Sequence, residues 1–223
     1  MTQLPTLVIG NRNYSSWSMR PWLALHWGKI AFEEKMIPLG PRGLGPNPDI
    51  VAISPSGTVP VLMLPGGETI WDTMSICEWA HENAPSAGLW PIDSLQRALA
   101  RSASAEMHSG FGPVRQEMPM NIKRRKADHA LTDAAKANVA RIDALLSGLA
   151  QRFDTNGTGW LFGQPTIADA FYAPVATRFR TYNITLSATT QKWCNTLFAD
   201  TAFQAWEQAA LAETWTIGES DAV

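Results

Sequence analysis

The rhythm of hydrophobic and polar positions changes near residue 85. Before it, short apolar runs alternate with turn-rich stretches. Thr6-Leu7-Val8-Ile9-Gly10 is a continuous β-rich run and reads as a buried strand. A polar loop over residues 11–16 follows. From residue 17 to 27 the period lengthens: Met19, Trp22, Leu23 and His26 recur at three- and four-residue spacing, Pro21 fits a first helical turn and Gly28 a stop. Residues 32–39 read as a second strand and the Pro/Gly-rich stretch 40–48 as a loop. Val61-Leu62-Met63-Leu64 and Glu68-Thr69-Ile70, joined by Pro65-Gly66-Gly67, predict a hairpin. Asp72 or Thr73 then caps a helix running to about Asn83. The order β, α, β, an ill-defined connection, β, β, α makes a small mixed sheet with helices against it.

After the linker Ala84-Pro85-Ser86-Ala87-Gly88-Leu89-Trp90-Pro91 the strand signals stop. Asp93-Ser94-Leu95-Gln96 is a capping box for a long helix through about Ser109. Val139, Ile142, Leu145, Leu146 and Leu149 form one helical stripe. Thr166-Ile167-Ala168-Asp169 caps another helix, with Phe171, Tyr172, Val175 and Phe179. Removing Asp169 from a cap of this kind is expected to cost about 1 kcal/mol. Two shorter helical patterns end near Leu211, and residues 216–223 have no period and are expected to fray. An α+β half at residues 1–84 thus precedes an all-helical half at residues 92–215.

Composition narrows the function. With 45% hydrophobic and 17% charged residues the chain is an ordinary globular sequence, and a formal net charge of -2 argues against nucleic acid or an anionic membrane as partner. No apolar run approaches the roughly 20 residues that span a bilayer. The first residues lack the charged-then-apolar pattern of a signal peptide, so a cytoplasmic protein is expected. Two cysteines, Cys77 and Cys194, make neither a disulfide framework nor a metal cluster. Both sit in apolar helical patterns and read as buried thiols, Cys77 being also a minor redox candidate. Ten tryptophans are spread over both halves, which indicates large packed contacts and no single stacking platform. There is no Cys-x-x-Cys, no P-loop, no G-x-S-x-G and no His-Glu-x-x-His.

The most informative segment is Ser54-Pro55-Ser56-Gly57-Thr58-Val59-Pro60-Val61-Leu62. A proline opening a strand cannot donate to a sheet ladder and belongs at a turn or an edge. With a cis Val59-Pro60 bond, Val59 would turn its N–H and C=O out of the sheet, where a short extended peptide can pair with them.

This segment resembles the cis-proline loop of the thioredoxin-like cytosolic glutathione transferases, and the resemblance extends along nearly the whole chain. Ser15-Ser16-Trp17-Ser18-Met19-Arg20-Pro21-Trp22 is similar to the serine motif of zeta-like and related bacterial members. Ile70-Trp71-Asp72-Thr73-Met74-Ser75-Ile76 is similar to the acidic-then-hydroxyl pair that opens the third helix, and Thr166 to Asp169 matches the family's capping box. Two departures stand out. Trp17 occupies the place of the zeta-class cysteine, which weighs against maleylacetoacetate isomerase activity. Asp72-Thr73 replaces the usual Glu or Gln followed by Ser.

The resemblance implies a thioredoxin-like domain followed by an all-α domain, a homodimer, and glutathione as co-substrate without a metal. A free thiol has a pKa near 8.5, and lowering it by about two units requires roughly 2.7 kcal/mol of preference for the thiolate. A hydroxyl bonded to charged sulfur supplies about 1.5–3 kcal/mol and a helix start about 0.3–1 kcal/mol. Ser15 aligns with the active hydroxyl, with Ser16 and Tyr14 as alternatives, although both serines also fit a plain helix cap. Asp72 and Thr73 would hold the γ-glutamyl end, Val59 beside Pro60 the cysteinyl backbone, and Arg42 the glycyl carboxylate, though a solvated loop charge fits Arg42 better. A small hydrophobic electrophile would bind between the halves near Met107, His108, Phe111, Arg115, Met118 and Met120, residues that core packing explains equally well. Arg178 and Arg180 read as surface ion pairs, and Lys123-Arg124-Arg125-Lys126 as a solvated face. The expected activity is conjugation or reduction of electrophiles. The alternatives are a non-catalytic binding or stress-response protein of the same fold and a glutathione-dependent isomerase.

Overall fold

A computed structural model describes residues 3–40 and 47–222. Strands β1 (Thr6–Ile9), β2 (Glu33–Met36), β3 (Val61–Met63) and β4 (Thr69–Trp71) form one sheet in the order β2-β1-β3-β4. β1 and β2 are parallel, and β1–β3 and β3–β4 are antiparallel. The apolar run of β1 is continuous because both faces are covered. Leu7, Ile9 and Leu62 point into the main core with Met19 and Leu23 of α1 (Ser16–Trp27) and Ile76 of α3 (Thr73–Asn83). Val8 and Val61 point the other way, against Ile37 and Ile50. Ile50 belongs to α2 (Pro48–Val51), a four-residue helix within the ill-defined connection, capped by Asn47. β2 is shorter than its pattern. Its Glu33, Glu34 and Lys35 are exposed, which blunts an edge strand.

The helical half runs through α4 (Ser94–Ser109), α5 (Gly112–Glu117), α6 (Asp133–Phe153), α7 (Ile167–Thr181), α8 (Ala188–Ala199), α9 (Thr201–Ala212) and α10 (Gly218–Ala222). The Asp93 cap is present, its carboxylate accepting from Gln96 N–H at 2.9 Å. α7 is the buried axis. It packs on both α1 and α4, and one core cluster runs continuously from Leu7 to Ala210.

Three expectations are corrected here. Pro21 is the sixth residue of α1, inside the helix rather than in its first turn. It cannot donate to the carbonyl four residues back, Trp17 C=O. That carbonyl instead accepts the Thr73 hydroxyl at 3.0 Å. The segment expected to fray forms α10, because Asp221 finds polar partners far off in sequence, which no local periodicity reports. The basic run is solvated only in part: Lys123 and Arg125 are exposed, but Lys123 Nζ donates to Glu213 C=O and Arg124 to Asp221 C=O.

Candidate active site

The register Val8↔Val61↔Trp71 brings three chain segments to one end of the sheet: the exit of β1, the entry to β3 and the exit of β4. At the β3 entry the Val59-Pro60 bond is cis. Pro60 is buried, and neither the N–H nor the C=O of Val59 has a partner among the described residues. The approach to it is tied down by Ser54 Oγ, which donates to Thr58 C=O at 2.8 Å and shares a hydroxyl bond with Ser56.

The β1 exit leads through residues 10–15 into α1. Ser15 is the N-cap, its Oγ accepting from Ser18 N–H and donating to Ser18 Oγ at 2.8 Å. Ser18 Oγ also accepts from Gly10 N–H at 3.1 Å. Ser15 can therefore turn its proton to another acceptor while Ser18 keeps the loop bond. The Ser16 hydroxyl has no partner among the described residues. Tyr14 is placed differently: its hydroxyl lies 3.1 Å from both Asp221 oxygens, and burial pushes its pKa up. A phenol held as a donor to a carboxylate is a poor thiol activator.

The β4 exit leads into α3. Asp72 caps it, accepting from Met74 N–H at 2.7 Å, with φ 72° and ψ 136°, a conformation that side-chain-bearing residues rarely adopt. Its other oxygen lies 3.3 Å from His108 Nε2, a polar contact between the cap of α3 and α4. Thr73 is buried and its hydroxyl donates to Trp17 C=O at 3.0 Å. The Thr73 N–H, at the positively polarised start of α3, remains without a partner among the described residues. Thr73→Val is expected to cost about 1–3 kcal/mol, because it strands a buried carbonyl. A urea unfolding midpoint equal to wild type would refute that role.

The residues expected around an electrophile divide. His108 is half-buried, edge-on to Trp17 with ring centroids 5.2 Å apart. Phe111, Met107, Met118 and Met120 are core residues. Arg115 caps α4, donating to the carbonyls of Met107, His108 and Gly110, while its guanidinium lies 4.8 Å from the Trp17 ring centre. Arg178 is buried and donates to Met118 C=O, and Arg180 pairs with Glu207. Arg42 lies outside the described residues.

Sequence reasoning missed Arg20. It is fully buried, donates through Nε to Phe171 C=O at 3.1 Å, and leaves Nη1 and Nη2 without a hydrogen-bond partner among the described residues. Its guanidinium lies 4.4 Å from the Trp17 ring centre and 5.3 Å from that of Phe171, close enough for cation–π attraction. Burial, then Arg115 and Arg178, push its pKa well down. Burial also pushes the Cys77 thiol up, and that of Cys194 up to about 12, which disfavours the thiolate at both. Among the described residues no group of His, Cys, Asp and Glu could hold a metal ion.

Residues 14–83 match the family model for the glutathione S-transferase N-terminal domain, and residues 131–210 the model for its C-terminal domain. A maleylacetoacetate isomerase of Pseudomonas aeruginosa is 24% identical over 149 residues, a match spanning 64% of this chain and 66% of that protein. A probable maleylacetoacetate isomerase of Caenorhabditis elegans is 27% identical over 186 residues, covering 83% of each. In structure, a glutathione transferase homolog from Burkholderia with bound glutathione superposes with a TM-score of 0.69 at 20% identity, over 95% of this chain and 100% of that one. With both domain models matched in order and the four-stranded sheet and helical half in place, the chain belongs to the glutathione S-transferase family.

Proposed function

We propose that this protein is a glutathione transferase that conjugates or reduces small hydrophobic electrophiles, the Ser15 hydroxyl stabilising the glutathione thiolate. One observation carries the reading. A hydroxyl at the start of α1, the unpartnered backbone of Val59 and the Asp72 carboxylate beside the Thr73 N–H all converge on one end of the sheet. That set fits an extended tripeptide with a thiol in its middle. Asp72 meets the ammonium group, Thr73 N–H the neighbouring carboxylate, and Val59 pairs with the cysteinyl backbone as a short added strand. The sulfur then lies toward α1, where Ser15 transfers its donated bond from Ser18 to the anion. Ser16 is the nearest alternative donor.

The electrophile approaches past His108 and Trp17. We place the protein in the cytoplasm, since two free thiols and a thiol co-substrate suit a reducing compartment. We also propose a homodimer, which would cover the exposed Trp71 on the edge strand β4 and the exposed Ile92 and Leu95 at the start of α4.

A second reading, a glutathione-dependent isomerase, is favoured by the names of two of the relatives. The test is a pH titration of glutathione bound to the protein, followed by thiolate absorbance. A bound pKa about two units below the free value is expected. Binding with an unshifted pKa leaves a non-catalytic binding protein. Turnover of a cis-dienoic acid with glutathione undiminished selects the isomerase.

A further inference from the structure

The loop that delivers Ser15 is held mainly by residues far along the chain. Within the loop, the Tyr14 and Ser15 N–H groups donate to Asn11 C=O and the Ser16 N–H to Tyr14 C=O. Its attachment comes from elsewhere. Glu213, itself buried, accepts Arg12 N–H at 2.7 Å and Asn13 N–H at 3.2 Å, one on each carboxylate oxygen. Trp206 Nε1 donates to Arg12 C=O at 3.1 Å, and Ile122 N–H to Asn13 C=O at 3.3 Å. The Asn13 side chain donates to Asn121 Oδ1 and accepts Lys123 N–H, both at 3.0 Å. Asn121 in turn donates to Asp221, whose carboxylate holds Tyr14, the residue before Ser15. Residues 213–222 thus form a strap from the helical half across the loop, fixed at Glu213 and Asp221.

We propose that this strap belongs to the thiol-activating apparatus, with Glu213 and Asp221 as positioning residues that set where the Ser15 hydroxyl stands. The physical argument is directional. A hydroxyl stabilises an anion only at hydrogen-bond distance, and a misplacement of about 1 Å costs up to about 100-fold in rate. Two charge-assisted bonds to successive N–H groups pin two adjoining peptides, Asn11–Arg12 and Arg12–Asn13, to one carboxylate, and the Trp206 bond to Arg12 C=O holds the second of them from its other side. Ser15 lies two residues beyond that peptide, too close for the error to relax. The inference rests on the proposed transferase site, because it concerns the geometry of that hydroxyl.

The experiment compares wild type with Glu213→Gln, in which one of the two loop N–H groups faces an amide nitrogen instead of an oxygen. Three readouts are taken on the full chain: the pKa of bound glutathione by thiolate absorbance, the pH profile of kcat/KM with a small aromatic electrophile, and thermal unfolding. A bound-thiol pKa moved up toward the free value is expected, with kcat/KM about 10-fold lower at neutral pH and partly restored at alkaline pH. A folded variant with a lower Tm but an unchanged thiol pKa and profile overturns the proposal, leaving Glu213 a structural residue. Should Glu213→Gln not fold, Tyr14→Phe, which deletes the hydroxyl's bonds to Asp221, the Ile217 backbone and the Asn13 side chain, decides on the same readouts: a smaller rise in thiol pKa supports the proposal and none overturns it. A wild-type protein with no depressed thiol pKa removes the transferase reading and this inference together. A wild-type shift retained intact in Glu213→Gln removes this inference alone.

Discussion

Asp169→Ala is expected to lower the unfolding free energy by about 3–5 kcal/mol, well beyond the loss of an ordinary helix cap. The carboxylate is fully buried in α7 and accepts four bonds: Leu161 N–H at 3.2 Å, Thr166 N–H at 2.9 Å, Thr166 Oγ1 at 2.6 Å and Trp193 Nε1 at 2.8 Å. It joins the start of α7 to the preceding loop and to α8, so alanine strands three N–H donors where water does not reach. The capping box alone suggested about 1 kcal/mol, because the sequence does not reveal the bonds from Leu161 and Trp193.

Burial pushes this carboxyl up from 3.8 to about 6 against the pull of its donors. The sign of the pH effect follows. Between about pH 4 and pH 6 the unfolded chain has released the proton while the folded chain still holds it, so this group's contribution falls as pH rises through that window. Urea unfolding of wild type and Asp169→Asn across pH 4 to 7 isolates the component, since asparagine has nothing to titrate. An Asp169→Ala protein as stable as wild type at neutral pH, or a wild-type curve parallel to that of Asp169→Asn, would contradict this account.

Ser15→Ala is expected to raise the pKa of bound glutathione by about one to two pH units and to lower kcat/KM at neutral pH about 10- to 100-fold, the value of one hydrogen bond to a charged sulfur. Glutathione affinity changes less, because Asp72, the Thr73 N–H and Val59 are untouched. The same substitution removes the N-cap that Ser15 provides to Ser18 N–H, at a cost of about 1 kcal/mol in stability. The two effects separate: a capping loss lowers the Tm and leaves the thiol pKa alone. A Ser15→Ala enzyme with wild-type thiol pKa and a lower Tm would reduce Ser15 to a cap. Ser16→Ala, measured alongside, shows whether the role has passed to the adjacent hydroxyl.

What could be read before the structure was local. The β1 run, the hairpin after Pro60, the Asp93 cap and the Thr166–Asp169 box depend on residues within a few positions of one another, and each stands where its pattern placed it. The cis Val59-Pro60 bond is what the resemblance to the cis-proline loop implied, not something the local pattern alone required. The features that escaped depend on distance or on ambiguous side chains. α2 is four residues long, too short for a period. Phe111 and the methionines around it are equally suited to a pocket and a core, and only packing against α7 and its neighbours assigns them to the core. Tyr14 was left as a catalytic candidate because its partner, Asp221, lies more than 200 positions away. Arg20 was overlooked because an arginine inside an amphipathic pattern reads as solvent-facing, whereas here two aromatic rings and a carbonyl surround it.

Pro21 has a consequence for how such sites diversify. A proline in the middle of α1 leaves the Trp17 carbonyl without its helical donor, and the Thr73 hydroxyl fills that vacancy. The two positions, 52 apart, are thereby one unit: the backbone chemistry at 21 decides which acceptor the hydroxyl at 73 serves. In a homologous chain carrying an N–H at position 21, that carbonyl would be satisfied within its own helix, and the hydroxyl at 73 would be free to turn toward the proposed glutathione site. Substitutions at 21 and 73 are expected to appear in lineages as a correlated pair.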